Sequence, residues 1–324
     1  MKKIFFLFTI IIGLSLLINV VYADNPENDE KGLFYRPKLK FPKTIVQNYR
    51  MDEQTRIIRT YEDGTSATFN REYTYFFHLK APGGPKDGIQ KINVTIDSMN
   101  YKYTDGKKEI EFYNYQDLPA PTNRMDFLNT YIPSGKFFDI YYSDYGEVAK
   151  VEGEELQRDR DFLVDPKYGI KNNDYKLKMF QNRLSDNQLL HIVDVAKGLL
   201  PYEEVELDSS WTCEVNFNIN NIPFGQVTTG VVDKLINTYF YINIKSDSMD
   251  VKNKEYILTD TKQIAEIEEA IADTEFELKI SSRGVVEYLS AKANAEVYGT
   301  IGNMKFKEEI YSLTNWNLVG LYKY

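Results

Sequence analysis

Cysteine and histidine are scarce in this chain, and their scarcity excludes several kinds of site. Cys213 is the single cysteine among 324 residues, so no intramolecular disulfide can form. With only two histidines, His78 and His191, the sequence supplies no His/Cys cluster for a zinc ion. No histidine lies near Cys213 to activate a thiolate, so we interpret this cysteine as a small core residue. The sequence therefore predicts no metal site, and both histidines are interpreted as structural.

The short motifs of common enzyme classes are also missing. The sequence has no Gly-x-Ser-x-Gly elbow, P-loop, Gly-x-Gly-x-x-Gly or His-Glu-x-x-His. Acidic clusters such as residues 152–155 do not follow the alternating spacing of a calcium loop and are typical of a solvated charged surface. A pair of glycosidase carboxylates that meets only in the fold leaves no trace in sequence order. The sequence thus predicts no catalytic residue and no cofactor, and a hydrolase is the least favoured alternative.

Positive charge is in deficit. The chain has 39 lysines and arginines against 48 aspartates and glutamates, a formal net charge of −9. This balance repels phosphate backbones and gives no attraction to anionic lipid headgroups. Nucleic acid is therefore excluded as a partner. An apolar small molecule or another envelope protein is the expected partner.

Long hydrophobic runs are limited to one, residues 4–21, which follows two lysines. It ends in Val-Tyr-Ala23, with small residues at the two positions that signal peptidase recognises, and is followed by a polar segment that contains a proline. This pattern predicts a signal peptide, residues 1–23, cleaved after Ala23; a transmembrane anchor is the alternative, since about 18 apolar residues can span a bilayer. Without a cysteine to acylate, no stable membrane anchor is expected after cleavage. We expect an exported bacterial protein, periplasmic or extracellular, with residues 24–43 as an extended polar leader.

Aromatic residues are abundant, with 25 tyrosines and 19 phenylalanines, and they favour pleated, half-buried strands. Strand-like runs at 55–61 and 65–79 flank Asp63-Gly64, a hairpin signal because both residues tolerate positive φ. Another alternating run at 89–103 precedes a second Asp-Gly pair. The tyrosines could also form a sugar- or ligand-binding surface, although strand propensity is the simpler interpretation.

Two longer segments carry apolar residues at helical spacing. Ser185 and Gln188 form a capping box ahead of an apolar face that runs to Leu200, before a proline. Isoleucines spaced three and four apart predict a second helix over 261–273. A shorter helix is expected within 122–131. Each of the two longer helices is amphipathic and should cover an apolar sheet face.

The two halves of the chain repeat the same order of elements. Each has a strand with Asp-Ser-Met, at 97–99 and 247–249, then a helical segment, a strand, a tight turn at Gly146 or Gly284, and a return strand. This order predicts an internal duplication. The predicted divisions are a first β-rich repeat at 44–165, a helical connector at 166–206 and a second β-rich repeat at 207–324.

Two strand–turn–strand segments, 137–148 and 276–286, and the stretch 199–211 together resemble a domain-of-unknown-function family of exported bacterial β-rich proteins. In that family a helix ending in Leu-Pro precedes a strand that starts with a Gly-Asp-x-Trp-like motif. Here Leu207-Asp208-Ser209-Ser210-Trp211 stands in that place and lacks the glycine. The resemblance implies a β-rich envelope protein and carries no activity with it.

These patterns predict a mainly β protein with a few helices, of the α+β class, with two related antiparallel halves that could form one continuous curved sheet. A cleft between a curved sheet and amphipathic helices is the usual site for a small apolar ligand. We expect a non-enzymatic binding or carrier protein for an apolar or lipid-like ligand; the alternative is a surface interaction module of adhesin type. The candidate ligand-binding residues, for which ordinary core packing is the competing interpretation, are Leu189, Ile192, Val193, Ala196, Leu200 and Trp211.

Overall fold

The computed structural model describes residues 34–113, 125–164, 175–258 and 261–323. The chain divides into two units, Met1–Phe34 and Tyr35–Tyr324, and only Phe34 of the first is among the described residues. The predicted signal peptide, the leader up to residue 33 and the start of the predicted helix at 122–131 lie outside them. The predicted domain divisions and the duplication stay predictions.

The described residues form fifteen strands and four helices, which we number in chain order. They are β1 (Phe34–Tyr35), β2 (Ile45–Tyr61), β3 (Ser66–Lys80), β4 (Ile89–Thr104), β5 (Glu109–Phe112), α1 (Met125–Tyr131), β6 (Phe137–Ser143), β7 (Val148–Glu152), α2 (Glu154–Val164), α3 (Tyr175–Arg183), α4 (Asp186–Val193), β8 (Val205–Glu206), β9 (Ser210–Ile219), β10 (Ile222–Ile236), β11 (Tyr239–Val251), β12 (Glu255–Leu258), β13 (Gln263–Ser281), β14 (Val286–Ile301) and β15 (Met304–Lys323).

Thirteen of the described strands form one antiparallel sheet, in the order β7-β6-β4-β3-β2-β15-β14-β13-β11-β10-β9, with β5 paired to β4 and β12 to β13. Most neighbours follow one another along the chain. The β4–β6 and β11–β13 pairs each skip one short strand, and the one long-range pair among the described strands of this sheet is at the centre, where β15 pairs with β2 from Lys323 opposite Ile45 to Phe306 opposite Tyr61. The predicted fold class, a mainly β protein with one large antiparallel sheet and a few short helices, is confirmed.

The predicted hairpin at Asp63-Gly64 is confirmed and joins β2 to β3. Gly64 has φ +80, and the Asp63 carboxylate accepts a hydrogen bond from the Thr65 amide at 2.9 Å. Along both strands buried side chains alternate with exposed or half-buried ones, so the sheet has an inner face on the core and an outer face toward solvent.

Aromatic contacts show that the sheet bends around its inner face. The Phe217 ring on edge strand β9 lies 5.4 Å from the Phe276 ring on β13 and 6.4 Å from the Trp316 ring on β15, measured between centroids. These strands are three to five positions from β9 in the sheet order, so the contacts run across the core. The bend leaves a concave inner face that α4 fills.

The prediction of a helix over 261–273 is wrong, because residues 263–273 belong to strand β13 and residues 261–262 form a turn before it. The pairing of β13 with β14 shifts register between Ile267 and Glu269, which marks a β-bulge. The extra residue breaks the two-residue alternation and leaves isoleucines at helical spacing by coincidence. Ile271, assigned to the apolar helix face, is 52% exposed on the strand.

The other helical predictions hold in part. The segment 122–131 contains helix α1. Ser185 is the N-cap of α4 as predicted, and its hydroxyl accepts from the Gln188 amide at 3.4 Å, but the Gln188 side chain donates to the Asn221 carbonyl and does not complete the capping box. However, α4 ends at Val193 and does not continue to Leu200. The Asp194 carboxylate accepts the amides of Ala196 and Lys197 at 3.0 and 2.9 Å, and this local turn replaces further helical bonds.

Candidate functional site

A half-open cleft of about 260 Å³ lies beside α4, where the two ends of the sheet path approach each other. The β6–β7 turn forms one wall and the β9–β10 hairpin forms the other, while α4 and the segment after it form the floor. The cleft is lined by Glu147, Val148, Asn187, Leu190, His191, Asp194, Lys197, Gly198, Tyr202, Glu214, Asn216, Phe217, Asn218, Pro223, Phe224 and Lys252.

The floor is held by side-chain hydrogen bonds to carbonyl groups in the last turn of α4, where helical donors run out. Lys197 Nζ donates to the carbonyls of Leu190 and His191 at 2.7 and 3.1 Å. The Trp316 indole donates to the Ile192 carbonyl at 2.8 Å. The end of α4 is therefore fixed to β15 and to its own following segment.

His191 connects the floor to the centre of the sheet. Its Nε2 lies 2.6 Å from the Glu53 carboxylate on β2, and both side chains are buried. Burial favours the neutral imidazole and lowers the His191 pKa, although Glu53 opposes this shift. Burial alone would raise the Glu53 pKa, but the hydrogen bond and charge of His191 and the charge of Arg71 outweigh it and lower it to about 2. Because Glu53 is ionised at neutral pH, its carboxylate accepts a hydrogen bond from Nε2 of His191.

Lys197 is a second buried ionisable group at the floor. Its ammonium lies 4.7 Å from the centroid of the Trp316 ring, which favours the charged form. Burial has the larger effect and lowers the Lys197 pKa to about 8, with Asp194 and Glu53 opposing it. The cleft thus borders a lysine that is more readily deprotonated than one in water.

Two glycines with positive φ let the segment after α4 pass tightly between the sheet edges. Gly146, in the β6–β7 turn, has φ +84, and a Cβ built on it would lie 2.7 Å from the Ala196 Cβ. Gly198 has φ +67 and donates its amide to the Gly146 carbonyl at 3.1 Å. The cleft floor and the β6–β7 wall are therefore in backbone contact.

The opposite wall is anchored by its turn. Asn220 and Asn221 both have positive φ, as a two-residue hairpin loop between β9 and β10 requires. The Asn220 side chain accepts from Arg71 at 2.9 Å, and the Asn221 side chain accepts from Arg183 at 2.6 Å. Both arginines are buried, so the hairpin tip is held by charge-assisted bonds inside the protein.

Of the six apolar residues predicted as ligand contacts, five lie in the core cluster behind the cleft and Trp211 packs against that cluster; none of the six lines the cleft. Five are buried, and the half-buried Trp211 lies over Gly230, where a Cβ would come within 2.6 Å of the Trp211 ring. Their part in ligand binding stays a prediction. The lining comes from their sequence neighbours, which are Leu190, His191, Asp194 and Lys197.

The remaining cysteine and histidine side chains show no sign of a nucleophile or a metal site in the described ranges. Cys213 is buried, and burial raises its pKa to about 11, so it stays a thiol at neutral pH. His78 pairs with Asp97 on the sheet surface at 3.0 Å. In the described ranges no group of three or more His, Cys, Asp or Glu side chains is placed to hold a metal ion.

No family model matches the chain, and no curated protein matches it. Among solved structures it is similar to lipovitellin, in a structure of its lipid–protein interactions, with 12% identity, a TM-score of 0.43, and coverage of 88% of this chain and 26% of that one. A COG4313 outer membrane channel from Pseudomonas putida F1 gives 7% identity and a TM-score of 0.25, covering 91% and 99%. A DUF1329 family protein from Desulfovibrio piger gives 8% and 0.14, covering 85% of each chain.

The chain thus spans about a quarter of the lipovitellin chain. At these TM-scores the three structures say nothing about what this chain binds. Its own fold defines a β-rich protein of the α+β class. None of the helices in the described ranges has the length and apolar character needed to cross a membrane.

Proposed function

We propose that the chain is an exported, non-enzymatic binding or carrier protein whose small apolar or lipid-like ligand occupies the cleft beside α4. The observation that carries this proposal is the cleft itself, which opens to solvent between two anchored walls and has apolar side chains from three elements within a mainly polar lining. Leu190 comes from α4, Phe217 from β9 and Phe224 from β10. We also propose that the protein is exported, because of the predicted signal peptide, and that it belongs to the domain-of-unknown-function family, because of the segments that resemble that family.

The size of the cleft limits the ligand. Its 260 Å³ lies just below the range of about 300–1,000 Å³ typical of drug-sized sites. A short acyl chain or a single ring system fits this volume, while a complete diacyl lipid does not. The exposed Tyr202 and Lys252 at the rim would then contact the polar end of the ligand.

The polar groups of the floor favour binding over catalysis. Nε2 of His191 is engaged by Glu53, and Nζ of Lys197 is engaged by two helix carbonyls. Both of these atoms therefore have structural partners, and Nδ1 of His191, which has none among the described residues, is buried from solvent, whereas a general base needs to reach a proton of the substrate.

Native mass spectrometry of residues 24–324, purified without detergent, tests the proposal. We expect a reproducible extra mass that is lost on organic extraction, and rebinding of octanoic acid to the extracted protein. Asn216→Trp, at an exposed cleft position on β9, should fill the cleft and abolish both. Thr212→Trp, also exposed on β9 but outside the cleft lining, is the matched control and should retain both.

The proposal would be overturned if the native mass equals that of the protein alone and the protein does not bind octanoic acid. Equal binding by the two tryptophan variants would also overturn it, since the ligand would then lie elsewhere.

A further inference from the structure

A second concave feature lies on the outer face of the sheet, away from the cleft. It is an open groove of about 520 Å³ that crosses five adjacent strands, β3, β2, β15, β14 and β13. Its floor is the backbone at Thr55, Arg71, Ala293 and Ser312, whose buried side chains belong to the inner face. The walls are two rows of outward-pointing side chains.

The strand register aligns the first row of side chains. Asn70 lies opposite Arg56, Arg56 opposite Tyr311, Tyr311 opposite Asn294, and Asn294 opposite Asp273. The second row runs parallel to it, two residues along each strand, with Leu313 at its centre. Since neighbouring strands lie about 4.8 Å apart, each row is about 19 Å long. This length accommodates several linked sugar rings.

The chemistry of the walls favours a neutral, hydroxyl-rich ligand. Two basic side chains, Arg56 and Lys292, face three acidic ones, so the groove has no strong charge of either sign. Its amides and carboxylates offer both donors and acceptors, as hydroxyl groups require. Only Leu313 and Tyr311 supply sizeable apolar surface, and the Tyr311 ring, 46% exposed, offers a flat face with a polar tip.

Several of these groups are available for a ligand. Asn294 donates to Asp273 at 2.8 Å, which orients both side chains along the row. In the described part of the chain, Gln54, Arg56 and Asn70 make no side-chain hydrogen bond to another protein group. All three are exposed; Gln54 and Arg56 lie on β2, the neighbour of the Tyr311 strand, and Asn70 lies on β3, one strand further out.

From this arrangement we infer that the outer groove is a glycan-binding site, which takes a neutral polysaccharide chain lying across the strands with a sugar ring against Tyr311. A polyanion would gain nothing from a groove with balanced charge, and a lipid chain would find too little apolar surface. The site is separate from the cleft, so each can be tested without the other.

Affinity electrophoresis tests this inference on residues 24–324, in gels containing hydroxyethylcellulose, laminarin, pullulan or glycol chitin, with heparin as the polyanion. We expect retardation by at least one neutral polysaccharide, and a dissociation constant at least tenfold higher for Tyr311→Ala. Tyr298→Ala is the matched control, because Tyr298 is an exposed tyrosine on the same outer face but outside the groove lining. It should bind like the unchanged protein.

Three results would each overturn the inference: no retardation by any of the four neutral polysaccharides, retardation by heparin alone, or equal losses in Tyr311→Ala and Tyr298→Ala. Asn216→Trp should bind the polysaccharide normally, which separates failure of this site from failure of the cleft. Circular dichroism of each variant confirms that the sheet is intact.

Discussion

Replacing Gly146 by alanine is expected to destabilise the protein strongly, because the new methyl group would enter the contact between the β6–β7 turn and the floor of the cleft. The Cβ would lie 2.7 Å from the Ala196 Cβ and 3.6 Å from a methyl group of Leu200. The φ of +84 adds a second cost, since an L-residue is strained in this region.

The two costs can be separated by a control at Gly64. This glycine has φ +80 in the exposed β2–β3 turn, and nothing lies within 4 Å of a Cβ built on it. Gly64→Ala should therefore cost only the backbone strain, about 1–2 kcal/mol. Gly146→Ala should cost that amount plus about 1–3 kcal/mol for overpacking against Ala196.

Urea unfolding followed by tryptophan fluorescence measures both costs, since Trp211 and Trp316 both pack in or against the core. In an Ala196→Gly background the overpacking cost should disappear, and Gly146→Ala should then cost no more than Gly64→Ala. If Gly146→Ala is as mild as Gly64→Ala, or if Ala196→Gly leaves the difference unchanged, the tight contact inferred here is refuted.

The remaining predictions concern the buried polar groups. Glu53→Ala leaves Arg71 and His191 without their shared carboxylate and should cost about 3–5 kcal/mol of unfolding free energy; a loss under 1 kcal/mol would contradict this. Because burial lowers the His191 pKa, the unfolded chain binds more protons than the folded protein below about pH 6.5, and the free energy of unfolding should fall as the pH drops through this range. Urea titrations at pH 7.5, 6 and 5 would measure this fall, which should be smaller in His191→Gln. Asn221→Gly keeps the positive φ but removes one of the acceptors of Arg183, so it should cost about 1–3 kcal/mol. An unchanged urea midpoint would show that the Arg183–Asn221 hydrogen bond contributes nothing to stability.

Local sequence signals predicted the hairpins and the beginning of α4 because the responsible residues are neighbours. Asp63 and Gly64 form their turn alone, and Ser185 caps α4 through Gln188, three residues away. The first half of β13, up to residue 273, was missed because its bulge interrupts the alternation that identifies a strand. The acidic residues around Ile267 then resembled the polar face of a helix.

The cleft could not be predicted in the same way, because its essential contacts join distant parts of the chain. Glu53 and His191 are 138 residues apart, and Trp316 is 124 residues from Ile192. Sequence reasoning correctly placed an amphipathic helix there and chose its apolar face. That face is the core side of α4, and the cleft is lined by the neighbouring polar and half-buried positions.

The pairing of β2 with β15 at the centre of the sheet has a consequence for the order of folding. The two strands join residues about 260 positions apart along the chain, with every other long strand of the sheet between them in sequence. The β2-to-β7 and β9-to-β14 segments can each form hairpins early, but they become one sheet only when β15 pairs with β2. Closing so long a loop is slow and entropically costly, so we expect a late, rate-limiting step that joins two partly folded halves.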